Sequence, residues 1–433
     1  MITRLALRQI FVRIGSKSND TALCVEFADG SVCKTCPSKK RNEVLIRFRN
    51  RRAELRTLLF FYEGLFESFV SGDVDLEGDQ PIATLARLGH SAARASAPNS
   101  WFRTLRNPLN EIRHRVQEWR QNGANREQAI RNAEFHYASP TALFKAILGD
   151  TMGYSEGLWT PEATTLNQAK YNNYEYICRK LQLKPGMTVL EVGAGWGYMP
   201  IYMATRYHID VTVYNPVRRQ NDYMRERFRR YGLSEKIRLV EGEYRDIVRE
   251  GSRFDRFLSI GVHEHAGHRL RQYRLWAESI AAVLKEGGIG VVSTTSWMVR
   301  QTIGLLTLEY IFPGSHVPSL PDTLAAFHRA GLMLVEVENL WPHYQRTLDE
   351  WRKNFAREWP EIQKSDPRVF TETFRRRWTL YLEATGEAFE DSLDLAHIVF
   401  SKGRNEHCFP SLRGSSRVEI DLIGGDQAPE CYK

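Results

Sequence analysis

The sequence has few cysteines and no long uninterrupted run of apolar residues. Six of its 433 residues are cysteine, a content that fits free thiols in a reducing compartment. Cys33 and Cys36 form a CxxC pair, but no second pair lies nearby at the spacing of a zinc site, so we predict no metal site. No apolar segment reaches the length that spans a bilayer. These absences argue against a protein built on disulfides, on zinc or on transmembrane helices.

The N-terminus also lacks the continuous apolar core of a signal peptide. Its apolar residues are interrupted by Arg4, Arg8 and Arg13, so we predict a cytoplasmic protein. Sixty Lys and Arg against 52 Asp and Glu give a formal net charge of +8. This excess makes anionic partners plausible, but charge alone does not choose between nucleic acid and an acidic membrane.

The length and the 42% hydrophobic content predict folded cores and two or three domains. Alternating apolar and polar residues on either side of Asp29-Gly30 predict a β-hairpin. The predicted regions are a small α+β domain over 1–95, a linker with an exposed helix over 96–134, a larger domain over 135–403 and a mobile tail over 404–433.

Within the larger domain, strand-like runs alternate with amphipathic segments of helical length. This alternation predicts an α/β fold with a Rossmann-like parallel sheet and helices on both faces. We expect residues 300–400 to be mostly helical, aromatic-rich and basic, forming a helical insertion that faces lipid. The predicted strands are 187–192, 209–214, 237–240, 255–261 and 289–294.

A glycine-rich loop follows the first of these strands. Glu191 ends the apolar run, and Gly193, Gly195 and Gly197 follow at alternate positions. Glycine permits a sharp turn and lets a ligand approach the backbone closely. The G-x-G-x-G spacing differs from the G-x-G-x-x-G of dinucleotide sites, so we predict that the loop binds S-adenosylmethionine (SAM).

The next strand ends supply further cofactor-binding candidates, because ligands of such sheets lie over the carboxyl ends of the strands. Asn215 ends the second strand, where most nucleotide binders have an acid, and we predict that it and Gln220 act as neutral substitutes. After the third strand, Glu243 is predicted to accept from an adenine amine and Tyr244 to stack on the ring. A solvated turn carboxylate remains the alternative for Glu243.

The fourth strand runs into His263, Glu264 and His265. Titratable side chains at a strand end favour proton transfer or substrate positioning. A metal site is the alternative, but no further ligand pair follows at zinc-site spacing.

Motifs in and beyond these segments carry a family resemblance. They are HY at 136–137, LQLKPG at 181–186, the glycine loop, FDR at 254–256, EH at 264–265, YIFPG at 310–314, PS at 318–319 and HYQRTLDEW at 343–351. With them the chain resembles the cyclopropane-fatty-acyl-phospholipid synthase family of SAM-dependent methyltransferases over roughly residues 130–403. The resemblance implies a class I methyltransferase fold and methyl transfer from SAM onto a cis double bond of a phospholipid acyl chain.

The resemblance also implies a set of catalytic residues. In the family the proton is removed by bicarbonate, held by a cysteine, a glutamate, a histidine and a tyrosine. The glutamate corresponds to Glu264 and the tyrosine to Tyr344, but Glu156 stands at the cysteine position and Ser293 at the histidine position. We therefore expect the carboxylate of Glu156 to replace bicarbonate, which is then not required; a solvated loop residue is the alternative. Next to these residues, His265 is a further catalytic candidate, and Tyr154 and Ser155 are implied to bind the cofactor.

Moving the base changes which proton leaves the cation, so we favour a methyl-branched or methylene product, with a cyclopropane as the alternative. Expected partners are anionic membrane phospholipids at the inner face of the membrane, a second copy in a homodimer and a separate redox partner. The domain over 1–95 is expected to dock the protein on the membrane. A nucleic-acid methyltransferase is disfavoured, because GVHEH stands at 261–265 where an N/D-P-P-Y/F motif is expected. A non-catalytic lipid-binding protein is disfavoured by the intact glycine loop.

Overall fold

A computed structural model describes residues 2–16, 18, 20–35, 42–94, 108–123, 125–137, 139–267, 269–298 and 303–405. Cys36 of the CxxC pair and the predicted tail beyond 405 lie outside these residues. The chain divides into two compact units, each made of several segments. The first unit is Met1–Arg120, Gly304–Ile311 and Phe355–Asp391, and the second is Gln121–Ile303, Phe312–Asn354 and Ser392–Lys433. Residues 355–391, which we had placed in one contiguous domain over 135–403, thus group with the N-terminal residues.

Helices make up much of both units. Those of the described residues are α1 (Ile2–Gly15), α2 (Arg51–Ser71), α3 (Pro81–Arg94), α4 (Pro108–Arg120), α5 (Arg126–Tyr137), α6 (Thr141–Leu148), α7 (Leu166–Lys180), α8 (Tyr198–Tyr207), α9 (Arg218–Arg230), α10 (Leu270–Val283), α11 (Leu305–Tyr310), α12 (Leu320–Arg329), α13 (Trp341–Ser365) and α14 (Glu372–Asp391). No helix in the described part of the chain has the length and apolar content to cross a membrane.

The strands form one sheet in each unit. They are β1 (Thr21–Glu26), β2 (Val32–Lys34), β3 (Asn42–Phe48), β4 (Val74–Glu77), β5 (Thr188–Val192), β6 (Asp210–Asn215), β7 (Ile237–Glu241), β8 (Phe254–Ile260), β9 (Leu284–Ser296), β10 (Leu332–Asn339) and β11 (Asp394–Lys402). Among the described residues, the sheet of the first unit has the order β2-β1-β3-β4 and that of the second has the order β10-β11-β9-β8-β5-β6-β7.

The first unit contains the predicted hairpin. β1 and β2 pair antiparallel, and the turn between them places Gly30 at φ +79°. Side chains from α1, α2 and α3 pack with the sheet into one apolar core, which residues of α11 and α14 join. Arg376 of α14 fixes this arrangement by binding Asp75 at 2.8 Å.

The second unit is the predicted Rossmann-like fold. β5 to β9 are mutually parallel, and each overlaps one of the five predicted strands. β11 runs antiparallel between β9 and β10. The prediction of a mostly helical 300–400 is therefore wrong for β10 and β11. β11 pairs with β9 across about a hundred residues of chain, and β10 pairs with β11 in turn. This long-range pairing, rather than local sequence, makes both segments strands.

Two helices of the second unit prepare the site. Thr165 caps the N-terminus of α7: its hydroxyl accepts the backbone N–H of Gln168 while the Gln168 side chain accepts the N–H of Thr165. The helix that follows buries Lys170, Asn172, Asn173 and Glu175 together with apolar side chains. The second helix is α9, which is rich in arginine; its Arg227 packs against the unit, with the guanidinium carbon 3.9 Å from the ring centroid of Tyr198.

Candidate active site

The glycine loop connects β5 to α8, and its three glycines all have positive φ. A Cβ on Gly193 would lie 2.3 Å from Val262 Cγ2, and one on Gly197 would lie 2.6 Å from Met224 Cγ. Nothing lies within 4 Å of a Cβ on Gly195. Gly193 and Gly197 are thus required by packing, whereas Gly195 leaves open space beside the backbone.

A cleft of about 1060 Å³, open to solvent, lies over the carboxyl ends of β5, β6 and β8. It brings together most of the residues predicted to bind the cofactor. Those lining it are Tyr154, Ser155, Glu191, Gly193, Gly195, Asn215, Gln220, Glu243 and Tyr244. Gly197 is not among the lining residues; it begins α8 and packs against α9.

Glu191 is a buried carboxyl group that faces this cleft. Its side chain is 2% exposed, and its Oε2 has no hydrogen-bond partner among the described residues. Burial raises the pKa of Glu191 to about 8. A buried acid without a partner fits a cationic ligand group such as an amine, which would restore its ionised form.

The end of β6 carries a network of neutral amides. Asn215 Nδ2 donates to Asn221 Oδ1 at 2.8 Å and to Gln220 Oε1 at 3.3 Å. Since Gln220 accepts through its oxygen, its Nε2 is directed elsewhere and is buried without a partner among the described residues. The site therefore presents an amide donor, which suits a hydroxyl or ring nitrogen.

Glu243 and Tyr244 differ in what they present to the cleft. Glu243 binds Arg245 at 2.7 Å, while burial raises its pKa. The Tyr244 hydroxyl donates to the Ala266 carbonyl at 3.3 Å, and its ring meets Trp276 edge to face with centroids 4.9 Å apart. Tyr244 is therefore anchored in the core as well as bordering the cleft.

The two histidines after β8 point to different places. His263 is fully buried, its Nε2 lies 3.0 Å from Thr323 Oγ1, and its ring stacks on Trp276. His265 lines the cleft, and burial lowers its pKa to about 4. Of these two histidines, only His265 could therefore contact a ligand in the cleft.

Glu264 is held by β9 and does not line the cleft. Its Oε1 accepts the backbone N–H of Thr295 at 2.7 Å and the Thr295 hydroxyl at 2.9 Å. Burial raises its pKa, and these hydrogen bonds act against the rise. Tyr344 is half-buried on α13, with its ring edge-on to Trp351 at 6.0 Å.

Glu156 lies at the centre of a buried polar cluster. Its Oε1 accepts hydrogen bonds from three side chains: His397 Nε2 at 2.7 Å, Ser293 Oγ at 3.2 Å and Asn173 Nδ2 at 3.2 Å. Burial acts to raise the pKa of Glu156, but the hydrogen bond and charge of His397 outweigh it and lower the pKa to about 2. Glu156 is thus an ionised carboxylate 1% exposed, not a solvated loop residue.

Lys170 adds a buried amine to this cluster. Its Nζ donates to the Ser155 carbonyl and lies 4.9 Å from the ring centroid of Trp351. Burial lowers the pKa of Lys170 to about 7, and the charge of Glu156 opposes this shift.

Sequence reasoning missed Lys170, Asn173 and His397. Lys170 and Asn173 lie three positions apart on α7, so they share its buried face. A polar pair at this spacing on a helix that packs against the sheet was a signal that could have been used. His397 lies on β11, which was not predicted.

An aromatic cluster borders the cleft beside these groups. The rings of Tyr137, Tyr154 and Trp196 line the cleft, and each contacts Phe144, at centroid distances of 5.9, 5.8 and 5.3 Å. Their electron-rich faces suit a cationic ligand or a cation formed during a reaction.

Comparisons with known proteins identify the family. The family model described as "Mycolic acid cyclopropane synthetase" matches residues 124–398. The chain is 32% identical over 262 residues to a protein of Pseudomonas putida named probable fatty acid methyltransferase, covering 59% of this chain and 65% of the relative. It is 33% identical over 270 residues to the cyclopropane-fatty-acyl-phospholipid synthase of Escherichia coli K12, covering 62% of this chain and 67% of the relative.

Solved structures show the same fold. The mycolic acid cyclopropane synthase CmaA1, solved with SAH and CTAB, superimposes with a TM-score of 0.57 at 23% identity, covering 63% of this chain and 98% of that chain. The matched family region includes the glycine loop, Glu156, Ser293 and His397. The chain therefore belongs to the mycolic acid cyclopropane synthetase family of SAM-dependent methyltransferases.

Proposed function

We propose that the protein transfers a methyl group from SAM onto the cis double bond of an unsaturated acyl chain in a membrane phospholipid, with Glu156 as the base. The observation that carries this proposal is the buried carboxyl group of Glu156, which accepts three side-chain hydrogen bonds and is next in sequence to the cleft-lining Ser155. The product that we favour is methyl-branched or methylene-bearing, and a cyclopropane is the second candidate.

The cleft residues fit the methyl donor. Glu191 would bind its amino group, Gln220 and Glu243 would bind its ribose and adenine, and the open backbone at Gly195 would admit it. When bound, SAM supplies an activated methyl group on a sulfonium. The rings of Tyr137, Tyr154 and Trp196 would favour positive charge at that point.

The chain's own task is to remove a proton. An alkene that gains a methyl group is left with positive charge on the adjacent carbon, and a neighbouring C–H bond then loses its proton. The electrons of that bond close either a new double bond or a three-membered ring, and the proton passes to the carboxylate. Three side-chain hydrogen bonds fall on Glu156 Oε1, so Oε2 is the oxygen that we expect to receive it.

Relatives support the lipid acceptor. The named relatives act on fatty acyl or mycolic chains, and CmaA1 was solved with CTAB, a molecule with a long alkyl chain. We extend this to anionic phospholipid as substrate and to peripheral attachment at the inner face of a membrane. A homodimer and a separate redox partner that reduces an unsaturated product remain part of the proposal, and nucleic acid is not part of it.

The test uses vesicles of mono-unsaturated phosphatidylglycerol with methyl-labelled SAM and no added bicarbonate. We expect labelled acyl chains whose methyl esters show a branch or methylene group by mass spectrometry and NMR; ring protons in the main product would establish the cyclopropane instead. Glu156→Gln should lose activity by about a hundredfold or more, whereas Glu162→Gln, an exposed glutamate of the same loop, should retain it. Full activity of Glu156→Gln would remove Glu156 from the reaction.

A further inference from the structure

The solvent face of α4 in the first unit carries an exposed apolar stripe. Leu109, Ile112, Val116 and Trp119 are 50, 58, 41 and 78% exposed. Spacings of three and four residues place them along one side of a helix. Soluble proteins seldom leave a large tryptophan so exposed at the end of such a row, so this surface is a candidate interaction site.

The opposite face of the same helix is polar and packed. Asn110 is buried, and its Nδ2 donates to the Phe60 carbonyl and to Glu63, both at 3.2 Å. Burial lowers the pKa of the neighbouring His114. A helix that buries polar groups and exposes its apolar ones is oriented opposite to an ordinary surface helix, so packing against the described residues of the unit does not explain the stripe.

Arginines border the stripe on both sides. At 3.6 residues per turn, Arg120 lies next to it on one side and Arg115 on the other. Both are exposed in the structure, and Arg115 has a side chain 78% exposed. An apolar row flanked by cations, with a tryptophan at one end, is the pattern of a helix that lies in the plane of a membrane interface.

We propose that α4 docks the protein on an anionic lipid bilayer, with the apolar stripe in the interface and Arg115 and Arg120 against the headgroups. The inference rests on the proposed function, because an acyl chain within a bilayer reaches the enzyme only if the enzyme meets the bilayer. A bilayer is the favoured occupant because the arginines would face anionic headgroups, whereas a second copy of α4 would bring them against the same cations.

The first experiment is sedimentation of the full chain with vesicles of phosphatidylglycerol and of phosphatidylcholine. We expect binding to the anionic vesicles that weakens with salt. Ile112→Ser with Trp119→Ser should weaken it by about tenfold or more, and Arg115→Gln with Arg120→Gln should weaken only the anionic component. The controls are Val369→Ser, which alters a valine as exposed as Val116, and Arg368→Gln, which alters an exposed arginine of the same unit. Both should leave vesicle binding unchanged.

A second measurement guards against loss of structure in the stripe variants. Vesicles of brominated lipid should quench the fluorescence of the wild type more than that of Trp119→Phe, because a conservative change at this position removes only the inserted indole. Vesicle binding unaltered in both stripe and arginine variants would overturn the proposal. Loss of a dimer by light scattering in the stripe variants, with vesicle binding retained, would show a second copy as the occupant.

The outcome is separable from the proposed function. A phospholipid short enough to dissolve as a monomer should be methylated equally by the wild type and the stripe variants. Vesicle binding without methylation of either lipid form would contradict the proposed function and leave the docking surface standing.

Discussion

Ser293 and His397 lie directly opposite each other on β9 and β11, and both donate to the same oxygen of Glu156. The family resemblance places a histidine at 293, where this chain has serine. The imidazole instead comes from the residue paired with position 293 on the neighbouring strand. The two departures that the sequence showed at 156 and 293 thus belong to one cluster, completed by a residue that the sequence did not single out.

Removing the imidazole should change the pH dependence of the reaction. In His397→Leu, burial of Glu156 is no longer opposed by the strongest stabilising contact, so the pKa of Glu156 should rise from about 2. The single-turnover rate of the wild type should stay level as the pH is lowered to about 5.5, whereas that of the variant should fall. His397→Gln, which keeps an N–H donor, should show a smaller change.

Other side chains also interact with Glu156 and His397, and the control variant must leave all of them unchanged. They are Lys170, Asn173 and Tyr174 on α7, Ser293 on β9, Glu338 on β10 and His343 on α13. None is altered by His263→Leu, which removes a second buried histidine of the same unit. Its pH profile should match that of the wild type, and a profile of His397→Leu that also matched would show that the contact does not govern the base.

The glycine loop offers a test of ligand binding apart from folding. Gly195→Ala places a methyl group in open space at φ +57°, so it should cost about 1 kcal/mol of stability through backbone strain. It should also weaken SAM binding by calorimetry, because Gly195 lines the cleft. Gly186→Ala, at φ +80° in a turn with equally open surroundings, should show the same loss of stability without weaker SAM binding. Equal SAM affinity in the two variants would exclude close approach of the ligand at Gly195.

Glu191 should make the ligand-free protein less stable as the pH rises. Its folded pKa of about 8 lies above the ordinary 4.5, so between these values the unfolded chain has lost a proton that the folded chain retains. Fewer protons on the unfolded state mean that the free energy of unfolding decreases with pH in this window. We expect Glu191→Gln to exceed the wild type in stability by about 4 kcal/mol at pH 8 and to bind SAM more weakly. Denaturant titrations at pH 5 and pH 8, with the exposed Glu235→Gln as control, check this.

Local sequence patterns predicted the parallel strands of the second sheet and the glycine loop. A strand such as β5 and the turn that follows it depend on residues that are adjacent in the sequence. The antiparallel strands of this sheet were not predicted, because they depend on pairing between strands that are far apart in the sequence. β11 becomes a strand because it fits between β9 and β10, and this register alone brings His397 to Ser293. Glu156 could be chosen from the sequence only through the family resemblance, and its ionisation follows from partners on three separate elements.

Lys170 should have the opposite effect on stability to Glu191, in a higher pH window. Its folded pKa of about 7 lies below the ordinary 10.5, so between these values the unfolded chain holds a proton that the folded chain has released. The free energy of unfolding therefore increases with pH, by about 3 kcal/mol between pH 7 and pH 9.5. Lys170→Met should lack this increase, while Lys184→Met, at an exposed position before β5, should keep it. Parallel pH dependence in Lys170→Met and the wild type, measured by denaturant titration, would show that the buried amine stays charged throughout.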